Sequence, residues 1–152
     1  MKTLELDVVA TRGDEVESRH RVHAAVVGDG DALIASAHDP KLVSSWRSCG
    51  KPFQIMPLLE SGGFDDLHWG DDQLALACAS HGGEPEHVAL AQQMLNDIGL
   101  AEGDLACGPH DPLSSRGLKL LRESGARLTR LHNNCSGTQV STGRFATCRR
   151  TW

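Results

Sequence analysis

The chain has 152 residues, 39% of them hydrophobic and 23% charged, with a formal net charge of -5. That length and balance suit one globular domain with a real core, and exclude a disordered chain. Lys and Arg are scattered and no apolar run is uninterrupted, so nucleic-acid partners, a signal peptide and a membrane span are all excluded from the expectation.

The first forty residues read as strands. "TLELDVVA" alternates, "ESRHRVHAAVVG" is Val-rich with polar residues between, and "DALIASA" follows a "GDGD" turn. Short connections predict an antiparallel meander or hairpin. Pro40 then opens "KLVSSWRSCGKPFQIMPLLESGG", with Ser45 as a candidate cap and an end near Gly62 and Gly63. Pro52 and Pro57 predict that this helix is kinked or starts close to Lys51. "DDQLALACASH" reads as a buried helix capped by Asp71 or Asp72 and stopped by "HGGEP". "EPEHVALAQQMLNDIG" places Val88, Leu90, Ala91, Met94, Leu95 and Ile98 at amphipathic spacing, with Pro85 in its first turn and Gly99 past its end. "DPLSSRGLKLLRESG" is a further short helix, and "RLTRLHNNCSG" a loop or short strand leading to a glycine turn. After Gly137, "TQVSTGRFATCRRTW" has no acidic residue and no sustained period. Strands followed by helices predict an α/β (α+β) fold.

Cys49, Cys78, Cys107, Cys135 and Cys148 are odd in number and form no CxxC pair, so they are expected as reduced thiols and the chain as cytoplasmic.

Three stretches carry chemistry. In "WRSCGKPFQ", residues three apart on a helix share a face, so Ser48 Oγ and Lys51 Nζ can meet. A lysine among Trp46, Phe53 and Ile55 loses hydration, its pKa falls toward neutrality, and it can act as base toward a serine. The plainer alternative is a capping serine beside a solvated lysine. "CASHGGEP" delivers Ser80 and His81 onto a glycine turn, where they either touch a ligand or simply stop the helix. "LHNNCSG" gathers His132, Asn133, Asn134, Cys135 and Ser136. Its amides can read a carboxylate or amide and its thiolate can bind zinc, or the stretch is an Asx-turn with a buried cysteine.

Taken together and in this order, "WRSCGKPFQ", "ALACASHGGEPEHV" and "LHNNCSG" resemble the rhizobial-type L-asparaginase II family. "SRHRVHAAVV", "HDP" and "DLACGPHDPLS" add to the likeness, which covers nearly everything from Glu17 to Gly137. The resemblance implies an incomplete serine β-lactamase-like fold, with antiparallel strands followed by helices, and hydrolysis of L-asparagine to aspartate and ammonia. It implies Ser48, Lys51 and Ser80 as catalytic residues, His81, Asn133 and Asn134 as substrate-binding residues, and Cys135 as a zinc ligand. L-asparagine is then the small-molecule partner, and a homodimer is kept open as the assembly. Which of Ser48 and Ser80 is the nucleophile stays undecided.

Where the family continues "HNNCSG" with Lys-His and a glycine, Thr138 stands here. Codons for His-Ala-Gly read one nucleotide out of phase can spell Thr-Gln-Val, so residues 138–152 are expected to be an out-of-frame tail after an N-terminal asparaginase part, 1–137. The expected function is therefore L-asparagine amidohydrolase chemistry through a Ser-Lys acyl-enzyme, truncated and inactive as this chain. The alternatives are a non-catalytic fragment or small-molecule-binding remnant, and a penicillin-recognising Ser-x-x-Lys protein, for which a later Lys-Thr-Gly is missing.

Overall fold

A computed structural model of the chain describes residues 2–142. The chain divides into two compact units, Met1–Ser45 and Trp46–Trp152. The mixed α/β class expected from the sequence is present, with strands in the first unit and helices in the second.

The first unit holds five strands: β1 (Lys2–Leu4), β2 (Asp7–Arg12), β3 (Glu15–Arg21), β4 (Ala24–Val27) and β5 (Leu33–Ala37). β2 and β3 form an antiparallel hairpin, which turns at Gly13 with a positive φ of 62°. The other three strands form a sheet ordered β1-β5-β4. β4 runs antiparallel to β5, but β1 runs parallel to it, pairing Lys2 with Ala35 and Leu4 with Ala37. An all-antiparallel meander is therefore corrected. The rule about short connections concerns consecutive strands, whereas β1 and β5 are joined through the whole of β2, β3 and β4, long enough to reverse direction twice. Two expected strands are also broken. "TLELDVVA" splits into β1 and β2, and "ESRHRVHAAVVG" into β3 and β4. His38 Nε2 bonds Asp7 Oδ1 at 3.0 Å, and His23 Nδ1 accepts the Asp39 N–H at 3.0 Å, so "HDP" ties the end of β5 to the earlier strands.

In the second unit a 3₁₀ turn, Arg47–Gly50, leads into α1 (Lys51–Glu60). Pro52 sits in the first turn of α1, where its missing N–H costs nothing, so the helix starts at Lys51. Ser45 does not cap it. There follow α2 (Gly63–Asp66), α3 (Asp71–Cys78), α4 (Pro85–Asp97), α5 (Ser115–Ser124) and α6 (Ser136–Thr142). Gly70, not Asp71 or Asp72, is the N-cap of α3, and its N–H is satisfied by Gln73 Oε1 at 3.0 Å. Ser114 Oγ caps α5 by accepting the Gly117 N–H at 2.8 Å.

The core of this unit gathers Ile55 and Leu58 of α1, Leu76 and Ala77 of α3, Ala91, Met94 and Leu95 of α4, and Val140 of α6. It is aliphatic apart from Phe64 and Trp69, which meet edge to face at 5.9 Å. Trp69 reaches a partner for its N–H in Asp97 Oδ2, at 2.9 Å.

Helix α6 corrects the reading of "LHNNCSG" as leading to a glycine turn and of "TQVST" as lacking a period. Ser136 and Gly137 open a helix, and Ser136, Thr138, Val140 and Ser141 are buried. Its inward face is made of hydroxyl residues that satisfy themselves on nearby carbonyls, so no apolar stripe marks it. Thr138 Oγ1 donates to Ala77 O at 2.6 Å, and Ser141 Oγ to Thr138 O at 2.8 Å. The remainder of the expected out-of-frame tail, with Cys148, lies outside the described residues.

Candidate active site

Three segments of the second unit converge: the 3₁₀ turn into α1, the exit from α3, and the loop before α6. Arg47 takes a positive φ of 48°, unusual for a side chain larger than glycine, and this sets the turn that presents Ser48. Lys51, at the first position of α1, is only 5% exposed.

Its ammonium does not bond Ser48. Lys51 Nζ donates to Ser80 Oγ at 2.9 Å, to Ala79 O at 2.6 Å and to Asn134 O at 3.1 Å. Ser80 Oγ in turn donates to Ser48 Oγ at 2.8 Å. The result is a continuous chain, Lys51–Ser80–Ser48, with both hydroxyls at its exposed end. The geometry differs from two residues on one helical face because Ser48 belongs to the 3₁₀ turn and Lys51 to the helix after it. All three acceptors on Lys51 are neutral oxygens, and no ion pair to it forms among the described residues. Trp46 and Phe53 stack edge to face at 4.8 Å beside this turn, both more than half exposed at 61% and 55%.

His81 is buried, and both its ring nitrogens are engaged within the protein. Nδ1 accepts the Gly83 N–H at 3.1 Å, so Nε2 carries the proton and faces Ser136 Oγ at 2.8 Å. Burial, reinforced by the nearby positive charges of His87, Lys51 and His132, lowers its pKa to about 4. A histidine kept neutral in the fold and free to protonate once unfolded costs stability in acid. Above pH 6.5 both states are neutral and nothing is lost. As pH falls from about 6.5 toward 4 the unfolded chain takes up a proton that the folded chain refuses. The urea midpoint should therefore slide downward across that window and level off below it on His81's account. In a His81→Gln variant this part of the slope should be absent.

Asn133 is likewise committed. Its Nδ2 donates to Gly108 O at 2.9 Å and its Oδ1 accepts the Cys135 N–H at 3.0 Å, an Asx-turn. Asn134 contributes its backbone carbonyl to Lys51, while its side-chain Oδ1 faces Cys135 Sγ at 3.8 Å. Two groups that sequence reasoning missed are thus main-chain carbonyls, those of Ala79 and Asn134, which leave no signal in residue types. Ser136 was visible within "NNCSG" but had no role until its partner His81 was placed.

For zinc, the donor set among the described residues is too small. Structural and catalytic zinc sites need three or four protein ligands. Among the described residues no three His, Cys, Asp or Glu side chains converge to hold a metal ion. Thr138 turns its hydroxyl away onto Ala77 O. Burial raises the Cys107 thiol, and the Cys135 thiol nearby raises it further, which outweighs the opposing pull of Arg130. Cys135 alone does not fit the group that the resemblance implies.

Two of the concavities among the described residues lie in this unit. One, of about 230 Å³, is lined by Leu58, Trp69, Asp97, Ile98 and Val140. The other, of about 460 Å³, is lined by Ala79 and His81, which flank Ser80, together with Leu76, His87 and Leu90. Neither is lined by Ser48, Lys51 or Ser80 themselves. Among the described residues no helix is long and apolar enough to cross a membrane.

Compared with curated proteins, the sequence gives no match. A family model, L-asparaginase II, matches residues 8–151, nearly the whole chain, including every residue of the Lys51–Ser80–Ser48 chain. The chain belongs to the L-asparaginase II family.

Proposed function

We propose, in place of the expectation of an inactive chain, that the chain is built for hydrolysis of L-asparagine to aspartate and ammonia by serine acyl transfer, with Lys51 as the base. The observation that carries this reading is the chain of two hydrogen bonds from Lys51 Nζ through Ser80 Oγ to Ser48 Oγ. In its neutral amine form Lys51 accepts the Ser80 proton. Ser80 either attacks the side-chain amide carbon itself or, as its own proton leaves, takes the proton of an attacking Ser48. Lys51 then returns that proton to the departing nitrogen, which leaves as ammonia. Water, deprotonated by the same amine, cleaves the ester to release aspartate and restore the hydroxyl. The Ala79 and Asn134 carbonyls hold the nitrogen in place through this cycle. Zinc takes no step.

The test is to incubate the purified chain with L-asparagine and measure ammonia and aspartate. Equimolar release, absent from Ser80→Ala protein, is the expected result. A non-catalytic fragment is the second reading; Ser48, Lys51 and Ser80 line neither of the two concavities described above. Folded protein that releases neither product would establish that reading and overturn the first.

A further inference from the structure

Ser80 and Asn134 both hold Lys51, yet they lie on segments far apart in sequence, the exit from α3 and the loop before α6. The distance between those segments decides whether one ammonium can reach both. One side-chain bond spans them next to the site: His81 Nε2, on the residue after Ser80, to Ser136 Oγ, two residues after Asn134, at 2.8 Å. Both residues are buried, His81 at 4% exposure and Ser136 at 0%. Each is anchored at its far side. Ser136 Oγ donates to Leu131 O at 3.1 Å, and His81 Nδ1 takes the Gly83 N–H. Gly83 itself cannot shift easily. It has φ +72°, and a Cβ there would stand 2.8 Å from His132 O and 2.9 Å from Pro112 Cα. The hydroxyl of Ser136 therefore reads out the position of the Ser80 segment, and a change of about an ångström at such a contact is enough to matter for proton transfer.

We infer that Ser136 and His81 are positioning residues, which hold Ser80 at hydrogen-bond distance from Lys51. This assignment rests on the proposed hydrolase reading for its catalytic meaning, but not for its geometry. Neither residue touches the reacting atoms. They act through the backbone of the segments that carry Ser80 and Asn134.

The geometry has a readout that needs no catalysis. In the intact chain, acylation of Lys51 by acetic anhydride, followed by peptide mass spectrometry, reports how firmly its three bonds are held. Lys119, on the exposed side of α5, is the internal reference. Ser136→Ala should raise the Lys51 rate about tenfold, the size expected from one lost buried hydrogen bond, with Lys119 unchanged. His81→Phe, which fills the ring space without a polar partner, should do the same. His81→Gln, which keeps a donor for Ser136, should stay close to the original rate. If Ser136→Ala does not melt cooperatively, His81→Phe carries the comparison. Equal Lys51 rates in folded variant and parent would overturn the inference, and so would a rise shared by Lys119, which marks general loosening. Ammonia release is followed in parallel, where kcat should fall with KM nearly constant. A parent chain that releases no ammonia defeats the hydrolase reading alone, because the Lys51 comparison stands without it.

Discussion

Replacing Ser80 with alanine is expected to lower kcat for ammonia release by about a hundred- to ten-thousand-fold, the usual cost of losing a general-base step. The magnitude follows from its place in the middle of the Lys51–Ser80–Ser48 chain. If Ser80 is the nucleophile, the variant lacks it. If Ser48 is the nucleophile, the variant removes the hydroxyl through which its proton reaches Lys51. Lys51→Arg should cost a similar factor, since guanidinium stays protonated throughout the working range and cannot act as base. The double variant should lose little more than either single one, because residues that act as a unit are strongly non-additive. Steady-state ammonia release on folded proteins measures all three. Near-normal kcat in Lys51→Arg would make Lys51 a structural cation and end the Ser-Lys reading.

Gly137→Ala carries the second large effect, and its sign is the opposite of what propensity alone gives. Alanine in place of glycine within a helix ordinarily stabilises by about 1 kcal/mol. Here a Cβ at Gly137 would lie 2.5 Å from Leu76 O and 2.7 Å from Leu76 Cγ. Real Cβ atoms do not approach backbone oxygen so closely, so α6 must move away from α3. That displacement strains the Thr138 to Ala77 bond and the buried Val140. Overpacking of this kind costs about 1–3 kcal/mol, which outweighs the propensity gain. Urea unfolding should show a lower midpoint with an unchanged slope. An equal or higher midpoint would mean that the two helices separate freely.

How far the sequence carried the fold depends on where each signal lives. α4 was legible at both ends, from Pro85 in its first turn to Gly99 beyond its last, because its apolar spacing and its caps are local. The β2–β3 hairpin was legible for the same reason. The parallel pairing of β1 with β5 was not, since it depends on where a long connection returns rather than on either strand. α6 escaped because its packed face is Ser136, Gly137, Thr138 and Ser141, whose hydroxyls bond backbone and leave no hydrophobic period. At the site, the residue types of Ser48, Lys51 and Ser80 drew attention, but the pairing within them did not follow from spacing. A helix through Ser48 would have set Lys51 against it, whereas the left-handed Arg47 and the 3₁₀ turn leave Lys51 pointed at Ser80. Asn133 shows the reverse case. Its amide invites a substrate role, and the fold spends both ends of it on an Asx-turn and on Gly108 O.

The most direct measurement is to quench the chain during reaction with L-asparagine and look for an acyl adduct by peptide mass spectrometry. The account predicts a β-aspartyl ester on the peptide that contains Ser48 or the one that contains Ser80, absent from Lys51→Arg protein. Its location also names the nucleophile. Ammonia release with an adduct on neither serine, or an adduct that forms equally well in Lys51→Arg, would contradict it.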